Sequence, residues 1–514
     1  MTAAACSNGS KKSGPTTSAG KTTTSTGLAT PKLAADPFRL GVASGDPTHD
    51  SVILWTRLAP DPDNGGGMPD QDVPVRWEVG TTDTFSKVVT SGEAVALANC
   101  AHSVHVDATG LSPAQEYWYR FQVGDYETAP ARTRTLPKAD AAVDRFRLAF
   151  VSCQAYPGRY YTAHRALSEE DLDLVLHLGD YIYEGSGDGS PRQHRGPEPT
   201  TLELYRDRYA LYKADADLQA AHAVAPWMVT WDDHEVENNY ANGMSEDNDD
   251  GTIHVTEADF LKRRAAAYRA YWEHQPIRAK APTGSDLKLY RAAVIGTLAH
   301  LVMLDGRQYR DDQTCDDKLF ANRTECPEID DPARTMLGKE QEAWFDEQLK
   351  AGAERTWQII GQQTVMASLQ VGELVPNFDQ WDGYPEARRR LLRQVRDAKA
   401  TGAVVLTGDI HLAGASSLPD PDGTSPIAAE LVGTSITSGA PKLPVDDANI
   451  KSLFPAIEYF NSGDHGYCIS EITADEWTAR YQVVSSVTTP TATVRTDATA
   501  SIKAGQPGLA GITR

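Results

Sequence analysis

RLAFVSCQAYPGRYYTAHRALSEEDLDLVLHLGDYIY, residues 147–183, reads as strand, loop, helix, strand and loop. Its first apolar run, residues 148–151, stops at Ser152-Cys153-Gln154. Its second, residues 172–178, stops at Gly179-Asp180, with Tyr181 and Tyr183 just beyond. Two buried strands therefore deliver a thiol, a carboxylate and a phenol to one edge. In open α/β sheets the carboxyl ends of the strands are where ligands bind.

The same grammar recurs outward from this stretch. Residues 227–231 end in Asp232-Asp233-His234-Glu235, residues 301–304 in Asp305, residues 357–361 in Gln362-Gln363, and residues 404–407 in Gly408-Asp409-Ile410-His411. Short apolar runs that stop at Asp, His or Cys predict a buried sheet with a metal site at its C-terminal edge. A single Gly-Asp after a strand says little; several strand ends carrying metal-ligand side chains say much more.

A chain of 514 residues is long enough for two or three domains, and 40% hydrophobic residues suffice for a sizeable core. No apolar run reaches the roughly 18 residues that a membrane-spanning helix needs. The net charge of −22, from 49 basic and 71 acidic residues, argues against a nucleic-acid-binding surface. An acidic chain that handles phosphate needs local positive charge, and metal ions supply it.

Residues 1–34 form a polar tail of Ala, Ser, Thr, Gly and Lys, a composition that cannot bury a core and predicts disorder. Thr2-Ala3-Ala4-Ala5-Cys6 resembles the end of a bacterial lipoprotein signal whose apolar part is trimmed, with Cys6 as the lipidated residue; the alternative is a chance cysteine in an Ala-rich tail. Either way the reading is an exported protein, secreted or at the cell surface, on a polar tether. Cys315 and Cys326 bracket the polar loop DDKLFANRTE and predict a local disulfide, which fits export.

Residues 35–137 predict an all-β sandwich of about seven short strands, such as SVILWTRL (51–58) and PVRWEVGT (74–81). Tyr117, Tyr119, Phe121 and Val123 alternate onto one face, and a turn holding Leu111 and Pro113 precedes them, as in the tyrosine corner of fibronectin- and immunoglobulin-like sandwiches. Residues 138–487 predict an α/β domain with helices over 201–224, 257–273, 339–351 and 386–400. Its last strands, in 428–436 and 466–484, read as antiparallel. They suggest a second sheet and a four-layer α/β/β/α core. The acidic loop 242–251 lacks EF-hand spacing and reads as solvated. Residues 488–514, rich in Thr and Ala, read as a fraying tail.

The donor types narrow the chemistry. A free tyrosine ionises near about pH 10, so a phenolate ligand at neutral pH calls for a strong Lewis acid, and ferric iron suits thiolate and phenolate alike. The remaining carboxylates and amides are hard donors that suit calcium or magnesium. Paired metals clamp the attacking and leaving oxygens of a displacement, which points to metal-assisted hydrolysis of phosphoesters. P-loop and G-x-S-x-G patterns are absent.

The words FRLGVASGDP (38–47), SVILWTRL, FVSCQ (150–154), HLGDYIYE (177–184), WDDHEVENN (231–239), DQWDGYP (379–385), LTGDIH (406–411) and VGTSITS (432–438) resemble those of the PhoD-type alkaline phosphatases, within the metallophosphoesterase superfamily. The resemblance runs from about residue 37 to 485. It implies a secreted phosphomonoesterase or phosphodiesterase with Fe3+ and Ca2+, acting through metal-activated water. Some relatives look like phospholipase D enzymes, so the ester type stays open.

Position by position, the resemblance sets Cys153 where other metallophosphoesterases have the Asp of D-x-H. Asp180 becomes the metal-bridging carboxylate and Tyr183 the extra phenolate of the iron site. Asp233 becomes a ligand of the second metal, His234 the acid or positioning residue, and Asn238 a further oxygen ligand. Asp409 replaces the first His of G-H-x-H, and His411 keeps the second. The superfamily's middle histidine word has no counterpart; Gln362 or Gln363 takes that strand end.

Several neighbours have plainer readings. Asp232 is an outer acceptor, His177 a core histidine, Trp381 and Tyr384 packing residues, and Asp305 with Arg307 a structural pair. Arg159, after a flexible Pro-Gly, is a candidate substrate contact. The expected partner is a phosphate ester, with membrane attachment only through a lipid on Cys6 and a monomeric state. The competing non-enzyme reading is a surface binding module with structural metals, for which His234 beside the ligands has no use.

Overall fold

The computed structural model describes residues 27–33, 35–185, 187, 189–246, 254–441 and 446–514. Cys6, most of the polar tail and residues 247–251 of the acidic loop lie outside them. The chain divides into two compact units. One comprises the residues up to Leu136 with Arg195–Met228 and Ala265–Lys288; the other comprises Pro137–His194, Val229–Arg264 and Leu289–Arg514.

The first unit is built on period-two patterning. In Glu116–Val123 every second side chain is buried. That strand pairs antiparallel with Val73–Gly80 and Ala131–Arg134, and Val73–Gly80 pairs with Val88–Ala96. Val42–Gly45, Ser51–Arg57 and Ser103–Thr109 form a separate antiparallel ladder. Val52, Leu54, Val75, Val79, Tyr119 and Phe121 meet in one core, as the inner faces of a sandwich do. The tyrosine corner is present: the backbone N–H of Ser112 donates to the Tyr117 hydroxyl at 2.8 Å.

This unit also holds helices, which a domain boundary drawn at 137 along the sequence does not include. The single helix expected over 201–224 is two, Leu202–Lys213 and Ala216–His222. Asp215 separates them by capping the second, its carboxylate accepting from the N–H groups of Asp217 and Leu218 at 2.9 and 3.1 Å.

The second unit is built on two large sheets. One runs, edge inward, Gly511–Thr513, Val494–Lys503, Glu476–Val484, His465–Ile472, Phe146–Val151 and Leu174–Leu178, the last two parallel. The other runs Arg291–Ile295, Ala299–Met303, Trp357–Gly361, Ala403–Thr407, Pro426–Val432, Ala413–Pro419 and Ile457–Asn461. Pro426–Val432, expected to be antiparallel, runs parallel to Ala403–Thr407 and antiparallel only to Ala413–Pro419. Its side chains are buried along most of its length, which removes the alternation that signals direction.

The sheets face one another closely. A Cβ on Gly433 would lie 2.8 Å from the Phe150 ring, and the Tyr481 hydroxyl donates to the Gly414 carbonyl at 2.6 Å. Gly338–Ala351 and Pro385–Asp397 cover the outer face of the second sheet through Phe345, Leu349, Leu391 and Val395. Thr162–Leu167 packs on the first. The result is the expected α/β/β/α layering.

Residues 488–514 correct the sequence reading. They include two strands, Val494–Lys503 and Gly511–Thr513, with Ala498, Ala500 and Ile502 inward. Small apolar residues alternating with Thr and Ser make a strand whose composition alone looks unstructured. Cys315 and Cys326 are disulfide-bonded, with Cα atoms 5.4 Å apart. Among the described residues no helix is long and apolar enough to cross a membrane.

Candidate active site

The strand ends deliver their polar residues to one place. Three overlapping groups have ligand atoms within 4.8 Å of one another: Cys153, Asp180 and His411; Asp180, Asp233 and His234; and Asp232, Asp233 and Asp409. Asp180 is shared by the first two and Asp233 by the last two.

The backbone is bent to make this convergence. Cys153, Asp180, Asp409 and His411 all have positive φ, between 58° and 64°. Such conformations cost a non-glycine residue of order 1–3 kcal/mol and persist only where the surroundings enforce them. At Gly179, with φ of 112°, a Cβ would sit 2.4 Å from Asp232 Cβ, so only glycine lets these two strand ends approach.

In the first group the Tyr183 hydroxyl donates to Asp180 Oδ2 at 2.7 Å and lies 2.9 Å from His411 Nε2. His411 Nδ1 is 2.9 Å from the Gly439 carbonyl, which accepts its proton and leaves Nε2 as the ligand atom. Burial, reinforced by the charge of Asp180, pushes both the Cys153 thiol and the Tyr183 phenol well above their ordinary pKa values. Neither ionises here without a cation. Burial also opposes charge on Asp180, but His234 and His411 outweigh it and hold the carboxyl below its usual range.

The oxygen-rich group is organised by Arg307, which is fully buried. Its guanidinium binds Asp379 through two hydrogen bonds, of 2.6 and 2.8 Å, and donates from Nε to Asp232. Its Nη2 lies 3.3 Å from Asp409 Oδ1 and 3.5 Å from Asp233 Oδ1. Asp379 is itself held by Arg310 at 2.5 Å and Gln313 at 2.9 Å. The expected Asp305–Arg307 side-chain pair does not form. From Arg307, Asp305 accepts the backbone N–H alone, at 3.1 Å, alongside bonds from Trp231 and Gln308, while the guanidinium turns to the site. Burial raises the pKa of Asp232 and Asp233 against the pull of Arg307, and burial with Asp379 pushes Asp409 up to about 6.

Three buried carboxylate oxygens, Asp180 Oδ1, Asp232 Oδ2 and Asp233 Oδ1, accept no hydrogen bond. Leaving such atoms without a hydrogen bond costs several kcal/mol in sum, at about 1–3 kcal/mol or more each. A cation among them removes that cost, so the residues present fit metal ions.

His234 stands beside this cluster. Its Nδ1 is 2.7 Å from Glu184 Oε2, and the other Glu184 oxygen accepts from the Asn238 N–H at 2.7 Å. Burial disfavours its charge, but Glu184, Asp233 and Asp180 together raise its pKa well above the usual value. Asn238 lies close by, with its side-chain NH2 directed to Glu246 at 2.5 Å. A cavity of about 300 Å³ opens over Tyr183 and His234, lined also by Arg159, Pro157, Thr437 and Gly439.

Residues given no role in the site from the sequence do much of the holding. Glu235 accepts from the backbone N–H groups of Asp180, Tyr181 and Asp232 at 3.1, 2.5 and 2.8 Å, tying two ligand-bearing loops together. Arg307, Asp379, Glu184 and Gln380 act likewise; Gln380 donates to Asp409. Glu184, Glu235, Asp379 and Gln380 lie inside the sequence words quoted above, the signal that could have found them. Gln363 bridges strand ends, donating to the Trp231 carbonyl at 2.8 Å and accepting from the Gly306 N–H at 3.1 Å. His177 is buried against Gln154, and Trp381 and Tyr384 are buried.

A profile of the PhoD-like phosphatase family matches residues 148–481, and one of that family's N-terminal domain matches residues 22–137. Alkaline phosphatase D of Bacillus subtilis (strain 168) is 46% identical over 497 residues, covering 94% of this chain and 83% of the relative. A solved structure of PhoD superposes with a TM-score of 0.88 at 45% identity, covering 93% of this chain and 92% of the other. The purple acid phosphatase PPD1 of yellow lupin shares the fold at a TM-score of 0.54 and 12% identity, covering 86% and 71%. The chain belongs to the PhoD-like phosphatase family.

Proposed function

We propose that this protein hydrolyses phosphate esters in the cavity over Tyr183 and His234, with Fe3+ held by Cys153, Asp180, Tyr183 and His411 and Ca2+ held by Asp233, Asp409 and Asn238, joined by Asp232, read from the sequence as an outer acceptor, through its Oδ2. The observation that carries the reading is the convergence of two chemically different donor groups, three of their buried oxygens without a hydrogen bond, beside a cavity that Tyr183 and His234 line. The alkaline phosphatase activity named for its Bacillus relative supports the same reaction class.

Metal ions held by these residues would supply Lewis acidity for a phosphoryl group and for the attacking water. The chain's own residues do the rest. Arg159 faces the cavity as a cation for a phosphoryl oxygen. Glu184 fixes the His234 ring through Nδ1, so that Nε2 is the atom left to hand a proton to the leaving oxygen. Ser438, 2.7 Å from the Tyr183 hydroxyl, and Glu235 keep the ligand loops in register. We assign the catalytic work to the unit formed by Pro137–His194, Val229–Arg264 and Leu289–Arg514. We also assign the protein to the exported compartment.

The test is a substrate panel on the purified protein: p-nitrophenyl phosphate, bis-p-nitrophenyl phosphate and phosphatidylcholine. Metal-dependent turnover of either nitrophenyl ester supports the proposal, and the ratio among the three assigns monoesterase, diesterase or phospholipase D action. Binding without turnover of any of them overturns it in favour of a binding module.

A further inference from the structure

Arg159 is not a loose surface side chain. Its Nη1 lies 3.0 Å from Nε2 of His465, a residue with no part in the metal-ligand groups. The other ring nitrogen, Nδ1, is 3.0 Å from Ser435 Oγ, and that hydroxyl donates to the Ser438 carbonyl at 2.6 Å. Ser435 is fully buried.

Donor rules allow one arrangement of protons along this chain. A guanidinium only donates, so His465 Nε2 must accept. The imidazole proton then sits on Nδ1 and points at Ser435 Oγ, whose own proton is already committed to the Ser438 carbonyl. Every polar atom is satisfied only with a neutral ring of this tautomer. Burial, followed by the charges of Arg159 and His411, lowers the His465 pKa to about 4, which keeps the ring in that form.

The far end of the chain reaches the site. Ser438 Oγ lies 2.8 Å from the Cys153 carbonyl and 2.7 Å from the Tyr183 hydroxyl. Gly439, next in sequence, accepts from His411 Nδ1, and a Cβ there would meet Arg159 Nη2 at 3.6 Å. The guanidinium is therefore held against the segment that also orients Tyr183 and His411.

We propose that His465 is a positioning residue, fixing Arg159 as the anion-binding element of the cavity. This rests on the phosphoesterase reading. Without the imidazole, Arg159 keeps its charge but loses its fixed place, and a flexible arginine binds an anion less well because the contact must also order the side chain. A histidine is suited to the task because a neutral acceptor holds the guanidinium without neutralising it, as a carboxylate would.

The test uses the full-length, metal-loaded protein with inorganic phosphate as the probe, its dissociation constant measured by calorimetry alongside kcat and KM. His465→Ala and Arg159→Ala are each expected to weaken phosphate about tenfold and to raise KM more than they lower kcat, consistent with loss of one charged hydrogen bond. The double variant is expected to be no weaker than Arg159→Ala alone, because His465 acts through Arg159. His465→Gln, whose amide oxygen can accept from Arg159, is expected to recover part of the loss and also guards against a misfolded alanine variant. Unchanged phosphate binding in both His465 variants, with Arg159→Ala impaired, overturns the inference and leaves the phosphoesterase reading standing. Additive losses in the double variant overturn it too. If wild type turns over no phosphate ester, the parent reading has failed instead.

Discussion

The two halves of the site handle charge in opposite ways. Around Cys153 and Tyr183 the thiol and phenol are buried beside Asp180 and hold their protons. Around Asp232, Asp233 and Asp409 a buried arginine is already in place. The first half gains its charge only when a cation arrives and protons leave. The second is partly compensated beforehand, and three oxygens across the site still lack a hydrogen bond. One half selects a strong Lewis acid by needing one; the other selects by oxygen geometry.

The broadest effect, on every substrate and on both metals, is expected where the halves meet. Asp180 belongs to the first two ligand groups, and Asp180→Asn should lower kcat by more than about 100-fold, past the range usual for outer metal partners. Steady-state kinetics with metal analysis checks this. Retention of both metals would mean that the halves do not share Asp180.

His234 sharpens the comparison because it flanks both halves yet is read as no ligand. His234→Ala should slow esters of alkyl alcohols by roughly 100- to 10,000-fold. Nitrophenyl esters, whose leaving group needs no proton, should suffer far less, and metal content should stay at the wild-type level. Loss of metal in this variant would make His234 a ligand instead.

Arg307→Lys keeps the charge but removes the planar fork that spans Asp379 and Asp232. Calcium affinity should fall by about 10- to 100-fold, while the iron half keeps its visible absorption. Equal loss of both would show that Arg307 supports the whole site rather than one half.

The smallest effect concerns the metal-free protein. Burial and the nearby Asp180 push the Glu235 carboxyl up to about 8. An acid whose pKa is raised by folding keeps its proton where the unfolded chain has lost it, so stability falls as pH rises between the two pKa values. His234, raised above its ordinary value, loses stabilisation in the same direction as pH climbs. The melting temperature of metal-stripped protein should therefore drop by a few degrees between pH 6 and 8.5, and loading metals should flatten the slope. A rise over that range would contradict these assignments.

Much of this was legible in the sequence because ligands sit at the ends of apolar runs. Cys153, Asp180, Asp233 and Asp409 could be read from where strands stop, and the sandwich core from the alternation through Tyr117 and Val123. The supporting side chains were not legible in the same way. Arg307 follows a strand as an ordinary Asp-Gly-Arg, and nothing local says that it turns away from Asp305 toward residues 75 and 102 positions distant. His465 lies 306 residues from Arg159. Long-range partners of this kind leave no periodicity. The last strand pair was missed for a different reason: Ala and Thr composition hid a period-two pattern in Val494–Lys503.

The central claim is that the two halves take different metals, and one chelation and reloading cycle tests it directly. Iron and calcium are quantified and the visible spectrum and turnover recorded before, during and after. The account predicts a visible charge-transfer band that survives mild chelation while calcium and activity are lost, followed by recovery of activity with calcium in preference to zinc. A colourless, iron-free protein with full activity, or full recovery with zinc alone, would contradict it.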